Sequence, residues 1–225
     1  MRTVTIGITL CLVSCGGGSK GSGAGAPTNP TPPPQNRAPV ITSVAVNPTF
    51  GIASLTVFNF TATANDPDGD AIEYRWDLAG NPLSGPAPAH TFPGSGGQGT
   101  ARVTVTDGRG GTSTGSVNFI VGSMEGTWAG NLVGALFRTT LQQSGGNVSG
   151  SFEILTPSGF RITGQTAPVS TNTIDASGRI RIRYKANLHV DDFRFEGTMD
   201  QTGVRITGAA NGSGFRGQAL NLVKQ

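Results

Sequence analysis

Residues Asp66–Asp77 read DPDGDAIEYRWD. Carboxylates at the first, third, fifth and twelfth places match the ligand spacing of a helix-flanked calcium loop. Two features oppose that reading. The sixth place, where such a loop needs glycine for its sharp turn, is Ala71, and the twelfth is Asp77 where glutamate is usual. From Ile72 onward, Ile72, Tyr74 and Trp76 alternate with Glu73, Arg75 and Asp77, which is the period of a strand. At about 3.3 Å per residue, Asp77 lies roughly 23 Å along the chain from Asp70, too far to share an ion. The stretch is an acidic turn running into a strand, and it points to a β protein.

The flanks agree. Working outward, PVITSVAV, SLTVFNFTATA, AHTF, TARVTVTD and TSTGSVNFIV are short alternating or β-branched runs. The turn signals NDPDGD, AGNP, PGSGG and DGRGG separate them. About seven short strands in about 85 residues is the size of an immunoglobulin-like sandwich. No long stretch of the 225 residues shows apolar residues at helical spacing, and glycine is frequent at 35. The whole chain reads as all-β.

Residues 38–122 resemble the PKD repeat. The residues that carry the resemblance are Asp66, Asp68, Tyr74, Trp76, Asp77, Gly80, Asn81, His90, Thr91, Phe92, Val103, Val105 and Asp107. The chain departs from the family at DLAGN, where an aromatic residue and Gly-Asp-Gly are usual. The resemblance implies an extracellular β-sandwich used as a spacer or for protein and carbohydrate contacts, without catalysis. In a sandwich of this order the loop of Asp66, Asp68 and Asp70 shares an end with Asp107. Two readings stand there: a Ca²⁺ site built from two loops, or plain Asp and Gly turn chemistry. His90, alone beside a strand, reads as structural, and Tyr74 and Trp76 read as core.

Beyond Val121 eight short segments follow, most joined by short links carrying Gly, Asn or Asp, which favours consecutive antiparallel pairing. One face gathers Trp128, Leu132, Phe137, Leu141, Val148, Phe152, Ile154, Phe160, Ile162, Ile180, Ile182, Tyr184, Leu188, Phe193, Phe195, Met199, Val204, Ile206 and Phe215. The same face carries Gly130, Gly150, Gly164, Gly197, Gly208 and Gly217. Glycine weakens a strand, so its recurrence has a geometric reason, and sharp bending at barrel corners supplies one. The expectation for residues 123–225 is an eight-stranded antiparallel meander β-barrel. Its opening, GTWAGNL, resembles the start of lipocalins and avidin-type barrels at Gly126, Thr127 and Trp128. Avidin-type sites use several tryptophans, and this segment has Trp128 alone, so biotin binding is not supported. Trp128, Phe152, Phe193, Phe195 and Phe215 either fill the interior or line a cavity for a small apolar ligand. The opposite face carries Arg138, Arg161, Arg179, Arg181, Arg183, Lys185, Arg194, Arg205 and Arg216. It is a solvated exterior, or a basic patch for acidic glycan, lipopolysaccharide or anionic lipid.

The N-terminus reads as an address. MRTVTIGITLCLVSC has one Arg and an apolar run from Val4 to Val13, too short to span a bilayer. LVSC resembles the bacterial lipobox. The resemblance implies a signal peptide over 1–14, cleavage before Cys15, acylation of that cysteine, for instance with palmitate, and a place in the cell envelope at the outer membrane. Residues 15–37, rich in Gly, Ser and Pro, have almost nothing to bury and read as a disordered tether.

Both cysteines, Cys11 and Cys15, lie in the first fifteen residues, so the body has no disulfide framework and no cysteine metal site. Residues 36–122 carry four basic and six acidic side chains and residues 123–225 ten and seven, too mild a bias for a nucleic-acid footprint. No Ser/His/Asp set, histidine metal cluster or phosphate loop is legible, and His189 with Asp191 and Asp192 reads as a surface turn. The expectation is a lipid-anchored, non-enzymatic binding or spacer module. It has no cofactor beyond a candidate Ca²⁺ and contacts membrane, envelope glycan or protein. The alternative is a carrier whose barrel holds an apolar ligand.

Overall fold

The computed structural model describes residues 33–186, 192–212 and 214–225. Residues Asn36–Gln225 form one compact unit. Its first part is a two-sheet sandwich. Strands β1 (Val40–Asn47), β3 (Phe58–Asn65) and β6 (Ala89–His90) form one sheet in the order β1-β3-β6. Strands β2 (Phe50–Ile52), β4 (Glu73–Leu78), β5 (Asn81–Ser84), β7 (Gly97–Thr106) and β8 (Thr112–Gly122) form the other, in the order β2-β8-β7-β4-β5. The alternation read from sequence becomes the burial pattern. Phe58, Phe60 and Ala62 of β3 face Trp76, Val103, Val105 and Phe119 across the core, where side chains of the two sheets interdigitate.

The second part is a closed antiparallel barrel of eight strands. In order around it run β9 (Gly126–Leu132), β10 (Ala135–Ser144), β11 (Asn147–Leu155), β12 (Arg161–Thr166), β14 (Arg179–Ala186), β15 (Phe193–Met199), β16 (Arg205–Gly212) and β17 (Phe215–Lys224). Strand β17 pairs back onto β9 through Val223↔Ala129 and Lys224↔Trp128, which removes the sheet edges. A two-residue strand, β13 (Thr173–Ile174), was not legible in the sequence. It continues the position of β12 between β11 and β14, after a loop over 167–172. Asn172 closes that gap. Its side chain is fully buried, donates to the Ala167 carbonyl at 2.6 Å and accepts from the Arg183 N–H at 2.8 Å.

The repeated glycines sit where the neighbouring strand leaves no room for a side chain. At Gly130, Gly150, Gly164 and Gly208 a Cβ would collide with a carbonyl of the neighbouring strand. Gly197 and Gly208 face each other across β15 and β16. The Phe195 ring covers both, at 2.8 and 2.6 Å from where their Cβ atoms would be. Phe152 covers its cross-strand partner Gly164 in the same way, and Phe119 covers Gly99 in the sandwich. Gly217 differs: it sits beside a register shift at Ala210/Asn211 with φ +70°, a bulge that suits glycine.

Two residues assigned to the inner face point outward. Phe160 is 56% exposed and Val204 46%. Phe160 belongs to a tight turn that its N–H closes on Thr156 Oγ1 at 3.0 Å, so β12 starts one residue later. Val204 lies in the turn closed by the Asp200 N–H on the Arg205 carbonyl. Leu188 lies outside the described residues.

The two parts share their cores. Ile52 of β2 is fully buried in the barrel cluster, with Phe50 and Leu55 packed against it. Burying such a side chain contributes about 1.5–3 kcal/mol. Gln143 of the barrel donates to the Ala53 carbonyl at 3.0 Å and accepts from the Met124 N–H at 2.8 Å. Lys224 reaches the Ser95 carbonyl at 2.9 Å while lying 5.7 Å over the Trp128 ring. Burial pulls this ammonium below the usual lysine range.

Candidate functional site

The acidic loop between β3 and β4 is shaped by its own backbone. Asp66 Oδ1 accepts the N–H groups of Asp68 and Asp70 at 2.8 and 3.2 Å, a turn that Asp favours. That turn gathers Asp66, Asp68 and Asp70 so that ligand atoms of all three lie within 4.8 Å of one another. Oδ2 of Asp66 and Oδ2 of Asp70 are buried without a hydrogen-bond partner.

Two guanidinium groups supply the counter-charge. Arg37 pairs with Asp68 at 2.6 Å and also donates its backbone N–H there, holding that carboxyl below the usual carboxylate range. Arg109 pairs with Asp70 at 3.1 Å. Asp107 stands apart from the trio. Its carboxylate accepts from Asn36 Nδ2 at 2.8 Å and from the N–H groups of Arg109 and Gly111 at 2.7 and 2.9 Å. These bonds, the Asn36 one foremost, hold it below the usual carboxylate range. Asn36 and Arg37, assigned to the tether from sequence, therefore dock on the loops. Composition gave no sign of this, because their partners lie 71 and 31 residues away.

The barrel interior gathers the predicted aromatic residues. Tyr184 and Phe193 stack at 4.9 Å, and Phe152 meets them at 5.1 and 5.4 Å. Phe137 adds edge contacts to Tyr184 and Phe193, and Phe215 caps Phe193 at 5.7 Å. Trp128 and Phe195 are fully buried. The indole N–H of Trp128 donates to the Met124 carbonyl at 2.8 Å, on the side of the barrel that the sandwich covers. The Tyr184 hydroxyl donates to Thr139 Oγ1 at 3.3 Å, and the Thr139 hydroxyl donates to the Ser151 carbonyl at 2.8 Å. Burial pushes the Tyr184 phenol well above its ordinary range.

The sequence missed a groove. An open depression of about 830 Å³ runs over β4 and β5, lined by Tyr74, Arg75, Trp76, Leu83 and Pro86 among others. Its shape arises where the chain turns at Gly85, whose carbonyl accepts from the Trp76 indole at 3.0 Å. His90 stacks edge-on to Phe92 at 4.6 Å with Nε2 buried, a place within the fold. Cys15, the leader, His189 and Asp191 lie outside the described residues. Asp192 pairs with Arg183 at 2.9 Å.

Residues 36–121 match the family model of the PKD domain. No curated protein matches the chain. Among solved structures, the PKD1 domain of Vibrio anguillarum Epp is 28% identical, with 39% of this chain and 96% of that chain covered and a TM-score of 0.32. A structure of carbohydrate-binding modules from the β-sandwich superfamily is 17% identical, covering 85% and 93%, with a TM-score of 0.38. A quinonprotein alcohol dehydrogenase-like protein of Bacteroides thetaiotaomicron is 10% identical, covering 80% and 61%, with a TM-score of 0.27.

Proposed function

Proceeding from a PKD domain fused to a closed barrel, we propose that this chain is a lipid-anchored, non-catalytic module of the bacterial envelope. Its rigid body meets protein or carbohydrate partners beyond a tether that starts at Cys15. The observation that carries this reading is the shared core: Ile52 of the sandwich is buried inside the barrel cluster. Two parts joined this way move together, which suits presentation at a fixed spacing better than hinged chemistry. The interior reading belongs here too. The ring contacts of Phe137, Phe152, Tyr184 and Phe193 use the space an apolar cargo would need, so the filled barrel is favoured over the carrier. The groove beside Tyr74 and Trp76 is the contact place we assign to a glycan or peptide.

Fractionation tests the anchor. The native chain should stay with membranes through a wash at about 1 M NaCl, which screens charge contacts to within about 3 Å. Cys15→Ser should be released by that wash. A Cys15→Ser chain that resists it would remove the lipid anchor from this account.

A second reading has its own support. Two buried carboxylate oxygens without partners, in a trio within 4.8 Å, suit a hard cation with oxygen ligands. We infer Ca²⁺ binding by Asp66, Asp68 and Asp70 at the weak end of the protein range, with a Kd on the order of 10⁻⁴–10⁻³ M, because the ion must displace the Arg109 contact. Calorimetry on the full chain should show heat at millimolar Ca²⁺ that Asp70→Asn abolishes. No heat at that concentration ends the idea.

A further inference from the structure

The barrel has two ends of different character. The sandwich covers one. Gly146, Gly178 and Gly203, in its loops, lie against Leu55, Ile52 and Gly122. The turns after β9 and β11 lie at the other, on the side away from the sandwich.

This distal rim carries large apolar side chains in water. Val133 is 70% exposed at the tip of the β9–β10 turn, Phe160 is 56% exposed in the β11–β12 turn, and Leu136 is 38% exposed between them. Strands β10 and β11 are neighbours, so the two turns sit side by side. Val133 is also strained: its φ of 51° lies in the left-handed region, where a β-branched residue is an outlier. Asn or Gly would satisfy that turn at lower cost. An unfavourable backbone that holds an apolar side chain in solvent points to a use for the side chain.

The wall just behind the tips is basic. Arg138, Arg161, Arg183, Lys185, Arg194 and Arg216 lie in the distal halves of their strands, all exposed. Glu153 serves Arg138 and Arg161 together, at 3.6 and 3.1 Å, and Asp192 serves Arg183. Glu196 lies 4.0 Å from Arg194, farther along β15. Arg183 and Arg194 are direct cross-strand partners, so two cations lie side by side on this wall.

Apolar tips backed by cations are what an anionic bilayer surface takes. The tips enter the headgroup–acyl boundary and the cations meet lipid phosphates. A linear acidic glycan would answer the charge but leave Val133 and Phe160 wet. We propose that the distal rim of the barrel docks on an anionic lipid surface through Val133, Leu136 and Phe160. This deepens the envelope-module reading by naming one partner. It stands on residues other than the anchor.

The test uses the full chain carrying Cys15→Ser, so that a wrong anchor assignment leaves the result readable. Its probes are vesicles of phosphatidylcholine alone or with about 30% phosphatidylglycerol, at low salt, where surface charge is least screened. The chain should sediment with the anionic vesicles, not with the neutral ones, and should be released by salt. The pair Val133→Asn and Phe160→Ser should weaken binding about tenfold or more, since both apolar anchors are lost. Val133→Asn alone should weaken binding while raising the melting temperature, because Asn tolerates the left-handed turn. That opposition of signs separates docking from folding. Phe160→Trp should shift its emission to the blue on anionic vesicles, and it is readable because Trp76 and Trp128 are only 3% and 0% exposed. Equal sedimentation of the paired variant and the parent overturns the proposal. So does equal binding to neutral vesicles, or retention by a heparin column with no vesicle binding.

Discussion

At the scale of single residues, the glycines explain most about how the barrel closes. Phe195 lies over the facing pair Gly197 and Gly208, so an aromatic ring occupies the space that two side chains would take. This lets the strands approach and bend, and the ring shields backbone that glycine would leave bare. Gly208→Ala places a methyl group 2.6 Å from the ring and closer still to the Glu196 carbonyl. The ring can turn, but the carbonyl belongs to a paired strand and cannot. We expect a loss of about 1–3 kcal/mol, the usual cost of overpacking, read as a lower melting temperature with the far-ultraviolet spectrum unchanged. A variant as stable as the parent would mean that β15 and β16 have slack the structure does not show. Each of these glycines was visible as a letter in the sequence. Which ones lie under a ring and which one, Gly217, makes a bulge depended on cross-strand register, which no local pattern carries.

At the scale of elements, strict alternation was the most readable signal. RIRIRYKA became β14 with Ile180, Ile182 and Tyr184 fully buried and its cations outside. The EYRWDL run became β4 for the same reason, and the helix-flanked loop failed because these residues keep the period of a strand. Several short elements were not legible. Strand β2 has three residues, FGI, and pairs in parallel with β8, a contact about 70 residues away along the chain. Strand β13 has two residues and exists because Asn172 satisfies the carbonyl and N–H groups that the interrupted strand leaves open. The turns at Phe160 and Val204 carry apolar residues where polarity was expected, so composition counted them into the core. Short pieces held by tertiary bonds have too few residues for periodicity to speak.

On the scale of the whole molecule, the consequence is cooperativity. The sandwich ends in β8, and β2, paired along it, places Ile52 in the barrel core. Gln143 and Lys224 add hydrogen bonds from the barrel to Ala53 and Ser95. Neither part can unfold without exposing apolar surface of the other. We therefore expect a single unfolding transition for the full chain. Ile52→Ala should lower stability by about 2–5 kcal/mol, as large-to-small core changes do. Its effect should appear in the fluorescence of the barrel's Trp128 although the substitution is in the sandwich. Two separated transitions in the parent, or an Ile52→Ala change confined to the sandwich, would show that the lobes are independent and weaken the rigid-presentation reading.

The amino-acid sequence by itself determined the class of this protein. Two-residue periodicity, abundant turn residues and spaced glycines admit only β structure, and the PKD pattern lies in residues close together along the chain. Hydrophobic alternation acts within a strand, so it can be read without knowing the partner strand. Tertiary structure alone decided what those strands do to one another. It put Ile52 inside a different lobe and drew Asn36 and Arg37 onto the acidic loops. It left Asp107 apart from Asp66, Asp68 and Asp70, and it gathered Val133, Phe160 and the outer arginines at one rim. Each of those outcomes depends on contacts between residues distant in the chain, whose energies arise only once the sheets have closed.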